Sequence, residues 1–145
     1  MMKKLLLIMI TLILAGCATG ISKQSRSRVT VFEPFLSLQQ QPVDFIGETV
    51  VFGGKIIVTQ PMENTTELTI LQLALDDRDR PQDNDRSDGR FLVVSDQFLD
   101  PAIYKKGDLI TVVGKLVSAE KRLIGEREYR YPKIKAGEIK RWEPG

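Results

Sequence analysis

The sequence predicts a small, mainly β domain, a five-stranded and partly closed barrel of the OB type with one short helix. Five segments are rich in β-branched and apolar residues and are separated by turn signals. No window after Pro42 keeps the apolar spacing of an amphipathic helix over three turns. Five strands with a short helix between the third and the fourth follow the order of the OB fold.

The strand segments also carry signs of strong sheet curvature. Gly53-Gly54 inside the first strand predicts a bulge or a sharp bend, and Gly114 in the fourth predicts a kink. In the fifth, one extra residue at Tyr131-Pro132 would keep both tyrosines on the face of the later apolar residues. The predicted strands are Thr49–Thr59, Thr66–Leu75, Arg90–Ser95, Leu109–Val117 and a fifth that begins near Tyr129.

Two shorter segments complete the predicted domain. Asp96–Lys106 predicts the short helix, with Asp100 as its N-cap and Pro101 at its first position. Before the barrel, an apolar patch between Val29 and Leu36 predicts a short packed segment, and Pro42 ends any helix there.

The first 17 residues have the order of a bacterial export signal. Two lysines precede an apolar run, Leu5–Leu14, which is followed by Ala15 and Gly16. As a helix the run would be about 15 Å long, roughly half of what a membrane span needs. Leu14-Ala-Gly-Cys17 resembles the lipobox, in which the thiol is acylated before the chain is cut between Gly16 and Cys17. The alternatives are an ordinary secretory signal with an incidental cysteine, or a buried N-terminal helix.

Cysteine usage favours lipidation. Cys17 is the only cysteine, so no disulfide framework is available. Two or three acyl chains would anchor the protein permanently, whereas one chain binds a membrane only marginally. Ala18 follows where aspartate is the usual inner-membrane retention signal, which predicts the outer membrane. The small, polar and basic residues that continue to Arg28 predict a flexible tether.

Charge and composition exclude several classes of function. The chain has 21 basic and 19 acidic residues, and both lysines lost with residues 1–16 belong to the signal, which leaves 19 of each. A near-neutral mature protein gives no argument for a nucleic-acid partner. The absence of histidine excludes Ser-His-Asp triads and histidine-based zinc hydrolases, and the sequence predicts no cofactor.

Three groups of polar residues are candidate sites. Asp83, Asp85 and Ser87 have the alternate spacing of a calcium loop, but Asp88 and Val94 stand where glycine and glutamate are required, so a solvated loop is favoured. Four carboxylates could form a glycosidase pair, although acids beside turns are usually caps: Asp96, Asp100, Glu126 and Glu128. Alternating aromatic and basic residues could stack on a sugar or base, although a half-buried strand gives the same pattern: Tyr129, Arg130, Tyr131, Lys133 and Lys135.

A series of short motifs resembles the Slp family of outer-membrane lipoproteins, whose first-described member is starvation-inducible. The match covers nearly the whole mature chain, and the ordered spacing after a lipobox makes it specific. The motifs are Gln41-Pro42, Gly47, Phe52-Gly-Gly-Lys55, Thr66-x-Leu68-x-Ile70, Leu75-Asp76, Gly89-Arg-Phe-Leu92, Phe98-Leu-Asp-Pro101, Tyr104, Ile110-Thr-Val-Val-Gly114, Tyr129-x-Tyr131-Pro132 and Trp142.

The resemblance implies a lipid-anchored envelope protein, induced by stress or entry into stationary phase, with no established enzymatic activity. Only Cys17 carries over as a functional position. We expect a signal peptide (1–16), a lipidated N-terminus and tether (17–28) and a barrel domain (29–145), held on the outer membrane and facing the periplasm. The expected role is structural or interacting, with an envelope protein or glycan as partner. An oligomer-binding barrel and a carboxylate hydrolase are the second and third hypotheses.

Overall fold

The computed structural model describes residues 20–143, in which five strands form a closed barrel in the order β1-β2-β3-β5-β4. Neighbouring strands are antiparallel except β3 and β5, which are parallel. This arrangement confirms the predicted mainly β, OB-like fold, and the barrel is closed rather than partly closed. The strands are β1 (Thr49–Pro61), β2 (Thr66–Leu73), β3 (Arg90–Ser95), β4 (Leu109–Ile124) and β5 (Arg127–Arg141).

Alternate residues of the strands fill the barrel. Leu68 and Ile70 of β2, Phe91 and Val93 of β3, and Ile134 of β5 are all 0% exposed. Burying one such side chain contributes about 1.5–3 kcal/mol, so the barrel interior is the main source of stability. The core also includes Val50, Ile56, Ile110, Val112 and Leu116.

Three short helices precede the barrel: α1 (Lys23–Ser27), α2 (Phe35–Gln40) and a 3-10 helix (Pro42–Phe45). Phe35 and Leu38 of α2 enter the core, and the Phe35 ring packs edge-on against Phe52 with centroids 5.3 Å apart. The helix ends at Gln40, before Pro42. The predicted packed segment is therefore present in part: Val29 and Phe35 are buried, whereas Phe32 is 82% and Leu36 41% exposed, and the helix ends before Pro42 as predicted.

The helix predicted over Asp96–Lys106 is wrong. The Asp100 carboxylate accepts a hydrogen bond from the Ala102 N–H at 2.9 Å, as an N-cap would, but only a turn follows. The Lys105 N–H donates to Asp108 Oδ2 at 3.1 Å, which draws the chain away from a helical path. Leu99 is buried, and Tyr104 packs against the core from this turn.

Two of the register shifts lie at positions that were not predicted. β1 shifts register against β2 at Ile57, and β4 shifts against β5 at Val117, whereas Tyr131 and Pro132 pair in regular register. Tyr131 therefore does not share a face with Ile134. A Cβ on Gly54 would lie 1.9 Å from the Leu71 carbonyl oxygen, so the glycine permits close strand approach. At Gly114 the register does shift, as predicted.

Candidate functional site

Four of the five predicted ligand-binding residues lie on the outer part of one element, the β4–β5 hairpin: Tyr129, Arg130, Tyr131 and Lys133. Its outer part, residues 118–133, is called the hairpin arm here. β4 was predicted to end at Val117, but it continues to Ile124 and pairs with β5 to the tip, Ile124 opposite Arg127. Charged residues at positions 120–122 interrupt the apolar pattern, so only the pairing reveals this extension.

The hairpin arm folds back over the outside of the barrel. Arg122 of β4 donates hydrogen bonds to both carboxylate oxygens of Glu67 on β2, at 2.7 and 2.8 Å. β4 and β2 are not neighbours in the barrel order, and Tyr129 of the same hairpin is bonded to Arg90 of β3, so the arm lies outside the barrel beside β3. Leu92 alternates with the core residues of β3 and is nevertheless 0% exposed. OB folds use the outer face of strands two and three to bind oligomers, and here the arm covers part of it.

Tyr129 fastens the arm to the start of β3. Its hydroxyl oxygen accepts a hydrogen bond from the Arg90 N–H at 2.7 Å, and its ring packs edge-on against Tyr131 with centroids 4.9 Å apart. A Cβ on Gly89 would lie 2.1 Å from this hydroxyl oxygen, and Gly89 has φ +136°. Glycine is therefore required where the tyrosine docks.

The other predicted ligand-binding residues do not share one exposed surface. Tyr131 is only 4% exposed, whereas Arg130 between the two tyrosines is exposed. Lys133 lies 3.9 Å from the Glu120 carboxylate within the arm. Lys135 lies 3.6 Å from Asp96, in the loop after β3. The alternating pattern thus places tyrosines against the barrel and basic residues outside, as in a half-buried strand.

Charged side chains of the arm and of β2 are connected by ion pairs. The hydrogen bond from Arg122 lowers the pKa of Glu67 despite the opposing effect of burial, and the charges of Arg122 and Lys133 lower it further. Arg122 also contacts Glu120, and its own pKa is raised, chiefly by the hydrogen bond to Glu67. Glu67 is 7% exposed, so a buried carboxylate is kept ionised by a matched guanidinium.

The four candidate catalytic carboxylates fall into two separate groups. Asp96 and Asp100 lie in the loop after β3, and Asp100 caps the turn there. Glu126 and Glu128 are exposed at the hairpin tip. Glu128 lies about 23 Å along β5 from Lys135, the residue that contacts Asp96, at roughly 3.3 Å per residue. The two groups are too far apart to share a glycosidic bond.

The loop with calcium-like spacing is held by protein contacts. Asp83 forms an ion pair with Lys55 at 2.6 Å, and the Asn84 side chain accepts a hydrogen bond from the Arg86 N–H at 2.9 Å. Within residues 20–143 no group of three or more acidic or cysteine side chains is placed to hold a metal ion. The side chains at this spacing therefore stabilise the loop.

Residues 20–28, predicted as part of a flexible tether, are ordered against the barrel. We call them the N-terminal clasp. The Ser22 N–H donates to Glu138 Oε2 at 2.9 Å, and the Ser25 hydroxyl donates to Glu138 Oε1 at 3.1 Å. Arg26 forms an ion pair with Asp79. Polar contacts of this kind leave no apolar period in the sequence; the only signal is Ser22, which caps α1 at the Ser25 N–H.

The clasp begins at Gly20, which lies against the loop after β2. Its φ is +101°, and a Cβ there would lie 2.7 Å from the Arg78 carbonyl oxygen. The Trp142 ring is within 3.9 Å of the same point, and its indole N–H donates to Thr111 at 2.9 Å. The Thr111 hydroxyl donates in turn to the Asp79 carbonyl oxygen at 2.5 Å. These contacts connect the clasp, the loop and the end of β5.

A cavity of about 250 Å³ lies between the clasp and the β4–β5 sheet. Its walls combine apolar side chains, such as Val113 and Val117, with three basic ones, Arg28, Lys115 and Lys135. Beside it, burial raises the pKa of Glu138, but the hydrogen bonds from Ser22 and Ser25 lower it by more, so the net pKa is lowered. The clasp is thus held by an ionised carboxylate.

Comparison with known proteins supplies the family. The family model described as the outer membrane lipoprotein Slp family matches residues 14–145. The chain belongs to the Slp family. Cys17 and Gly16, the predicted lipidation and cleavage residues, fall outside the described residues. In the described part of the Slp-family chain, none of the helices has the length and apolar character needed to cross a membrane.

One relative is named as a lipoprotein and another as an outer membrane protein. The lipoprotein YeaY of Escherichia coli K12 is 31% identical over 131 residues, which cover 90% of this chain and 67% of the relative. The outer membrane protein Slp of the same organism is 25% identical over 143 residues, 98% of this chain and 76% of the relative. A Haemophilus influenzae protein is 30% identical over 130 residues, which cover 89% of this chain and 70% of the relative. Several solved structures also resemble this Slp-family domain.

A small single-stranded DNA-binding protein of Streptomyces coelicolor matches 66% of this chain and 94% of its own, with TM-score 0.43 and 18% identity. The mitochondrial single-stranded DNA-binding protein Rim1 of S. cerevisiae matches 70% of this chain and 99% of its own, with TM-score 0.38 and 16% identity. The fold assignment itself comes from the strand order.

Proposed function

We propose that this Slp-family chain is a lipoprotein anchored through acylated Cys17 in the outer membrane, and that its barrel serves as a non-catalytic structural or interaction module. The observation that carries the proposal is Leu14-Ala-Gly-Cys17 at the end of an apolar export signal, within the region that matches the family. The single thiol stands where acylation and cleavage would use it. The resulting mature chain would begin at Cys17.

The arrangement of the carboxylates supports a role without catalysis. A general acid in glycoside hydrolysis needs a raised pKa. Glu67 and Glu138 instead have a lowered pKa. Hydrogen bonds that fasten the arm and the clasp cause the lowering. These carboxylates are therefore suited to holding the fold together.

The outer face of β2 and β3, which OB folds use to bind oligomers, favours an interaction role other than oligomer binding. The hairpin arm lies over this face, and Tyr131 of the arm is itself buried. The exposed tip of the arm instead presents Leu123, which is 65% exposed, among charged residues. We propose that the partner is another envelope component in the periplasm, and that the family relationship extends to induction by stress or entry into stationary phase.

Substitution of the cysteine tests the anchor. Cys17→Ser removes the thiol that is acylated, so an uncleaved precursor of about 16.4 kDa is expected to accumulate and to be absent from the outer-membrane fraction. Ala18→Ser changes the next residue and leaves the thiol, and this control should be processed normally. If Cys17→Ser were cut to mature size and still fractionated with the outer membrane, the proposal would fail.

A further inference from the structure

The N-terminal clasp fixes where the chain leaves the barrel. Gly20 lies against the Arg78 carbonyl oxygen and the Trp142 ring, and Ser22 is bonded to Glu138. Cys17 is only three residues before Gly20. Three residues span at most about 11 Å when fully extended, so a lipid on Cys17 would lie within that distance of the clasp.

The clasp and the hairpin arm lie at opposite ends of β2. Arg122 of the arm is bonded to Glu67 near the start of the strand. The clasp, through Arg26, contacts Asp79 in the loop beyond its end. The strand between Glu67 and Leu73 is about 20 Å long at roughly 3.3 Å per residue. A membrane close to the clasp would therefore have the hairpin tip on its far side.

The surface around the clasp carries an aromatic residue and basic side chains that a lipid surface attracts, together with the acidic Asp79, which pairs with Arg26, and Glu143, which follows Trp142. Between Cys17 and Arg28 the chain carries three basic residues and no acidic one. Trp142 has Arg80 and Lys140 near its ring, at 5.8 and 5.3 Å from the centroid. Tryptophan and basic side chains gather at membrane interfaces, where anionic headgroups attract the cations.

We propose that the clasp seats the barrel directly on an anionic lipid surface, with Trp142 and the basic residues facing the headgroups and the hairpin tip directed away. This inference rests on the proposed acylation of Cys17. A freely moving tether from Cys17 to Arg28 would let the barrel turn in any direction, whereas the clasp leaves one orientation. The arm is then the part offered to partners in the aqueous space.

Spin labels on the acylated mature protein test this orientation of the barrel. Gln24→Cys places a label on exposed α1, and Glu126→Cys places one on the exposed hairpin tip. The protein is reconstituted in vesicles of phosphatidylethanolamine and phosphatidylglycerol that contain a nickel-chelating lipid. Collision of the label with nickel, measured by electron paramagnetic resonance, is expected to be several-fold greater at position 24 than at position 126.

Two variants remove the clasp without touching the barrel core. Gly20→Ala puts a Cβ into contact with the Arg78 carbonyl oxygen, and Glu138→Ala removes the acceptor of Ser22 and Ser25. In both, the difference between the two label positions is expected to disappear. Glu63→Ala removes one exposed carboxylate in the β1–β2 turn and should keep the difference, as a matched control.

The possible failures are distinguishable. Equal nickel collision at positions 24 and 126, in wild-type protein that floats with the vesicles, would overturn the orientation while acylation stands. Greater collision at position 126 would overturn it as well. Protein that does not float with the vesicles would contradict the acylation, and with it both proposals.

Discussion

The hairpin arm and the N-terminal clasp lie on the outside of the same barrel but are held by different interactions. Beside the arm, the outward-facing Leu92 of β3 is 0% exposed, and Tyr131 of the arm is 4% exposed. Helix α1 of the clasp has no buried residue. Its contacts to Glu138 and Asp79 remain near water. The arm is thus fixed by burial together with hydrogen bonds, and the clasp mainly by polar bonds.

This difference teaches which part can move independently. Lifting the arm would expose apolar surface and leave Glu67 without its guanidinium, so the arm is expected to unfold only with the barrel. Opening the clasp exchanges a few polar bonds for bonds to water, at little cost. The barrel can therefore remain folded when the clasp is open.

The largest effect is expected from Arg122→Ala. The substitution leaves the buried Glu67 carboxylate without its bidentate partner, which should lower the free energy of unfolding by about 2–3 kcal/mol. This is less than for a fully buried pair, because the Arg122 side chain is 37% exposed. Chemical denaturation of the barrel domain (29–145) measures this change in the free energy of unfolding.

Lys121→Ala is the matched control for Arg122→Ala. It removes a basic side chain from the neighbouring, exposed position of the same strand and should change the free energy of unfolding by less than about 0.5 kcal/mol. The double variant Glu67→Met with Arg122→Met should regain most of the lost stability, because no buried charge is left unpaired. If Arg122→Ala and Lys121→Ala lowered the free energy of unfolding equally, Arg122 would not be the partner that stabilises the buried Glu67 carboxylate.

A smaller effect, confined to the clasp, is expected when the pH is lowered. The pKa of Glu138 is lowered in the folded protein from an ordinary value of 4.5, so its contribution to the clasp is complete above that pH. The contribution is lost as the pH falls below 4.5 through the folded pKa. Amide NMR shifts of Ser22 and Ser25 should then follow a titration with its midpoint below 4.5.

Glu138→Gln isolates the carboxylate in this titration. The amide shifts of Ser22 and Ser25 should no longer follow an acidic midpoint, while the free energy of unfolding at pH 7 changes by less than about 0.5 kcal/mol. A midpoint above pH 4.5 in the wild type would mean that the hydrogen bonds do not favour the ionised carboxylate. A large loss of global stability would show that the clasp is part of the barrel's cooperative unit.

The sequence predicted the barrel well because its strands are runs rich in β-branched and apolar residues, most of which are buried. The segments that became β2, β3 and the first half of β4 are buried almost continuously, and the order of the strands is that of the OB fold. The turn at Asp100 was mistaken for a helix because its N-cap residue and proline are present, but the chain forms only turns up to Gly107, which has φ +93°. Caps alone do not make a helix.

The arm and the clasp could not be predicted, because long-range polar contacts position both. The pair of Arg122 with Glu67 joins residues 55 positions apart, and that of Ser22 with Glu138 joins residues 116 apart. Neither leaves a periodic signal. Tyr129 and Tyr131 looked equally suited to ligand binding and to burial, and only the fold of the arm over β3 shows where they pack. Cys17, by contrast, was indicated by local order alone.

The central claim is most directly tested by the intact mass of the wild-type protein, expressed with its own signal in a Gram-negative host and separated by sucrose gradient. The account predicts a species of Cys17–Gly145 that carries a diacylglyceryl group and an N-linked acyl chain, in the outer-membrane fraction. An unacylated species in the soluble periplasmic fraction would contradict the anchor and the orientation that depends on it.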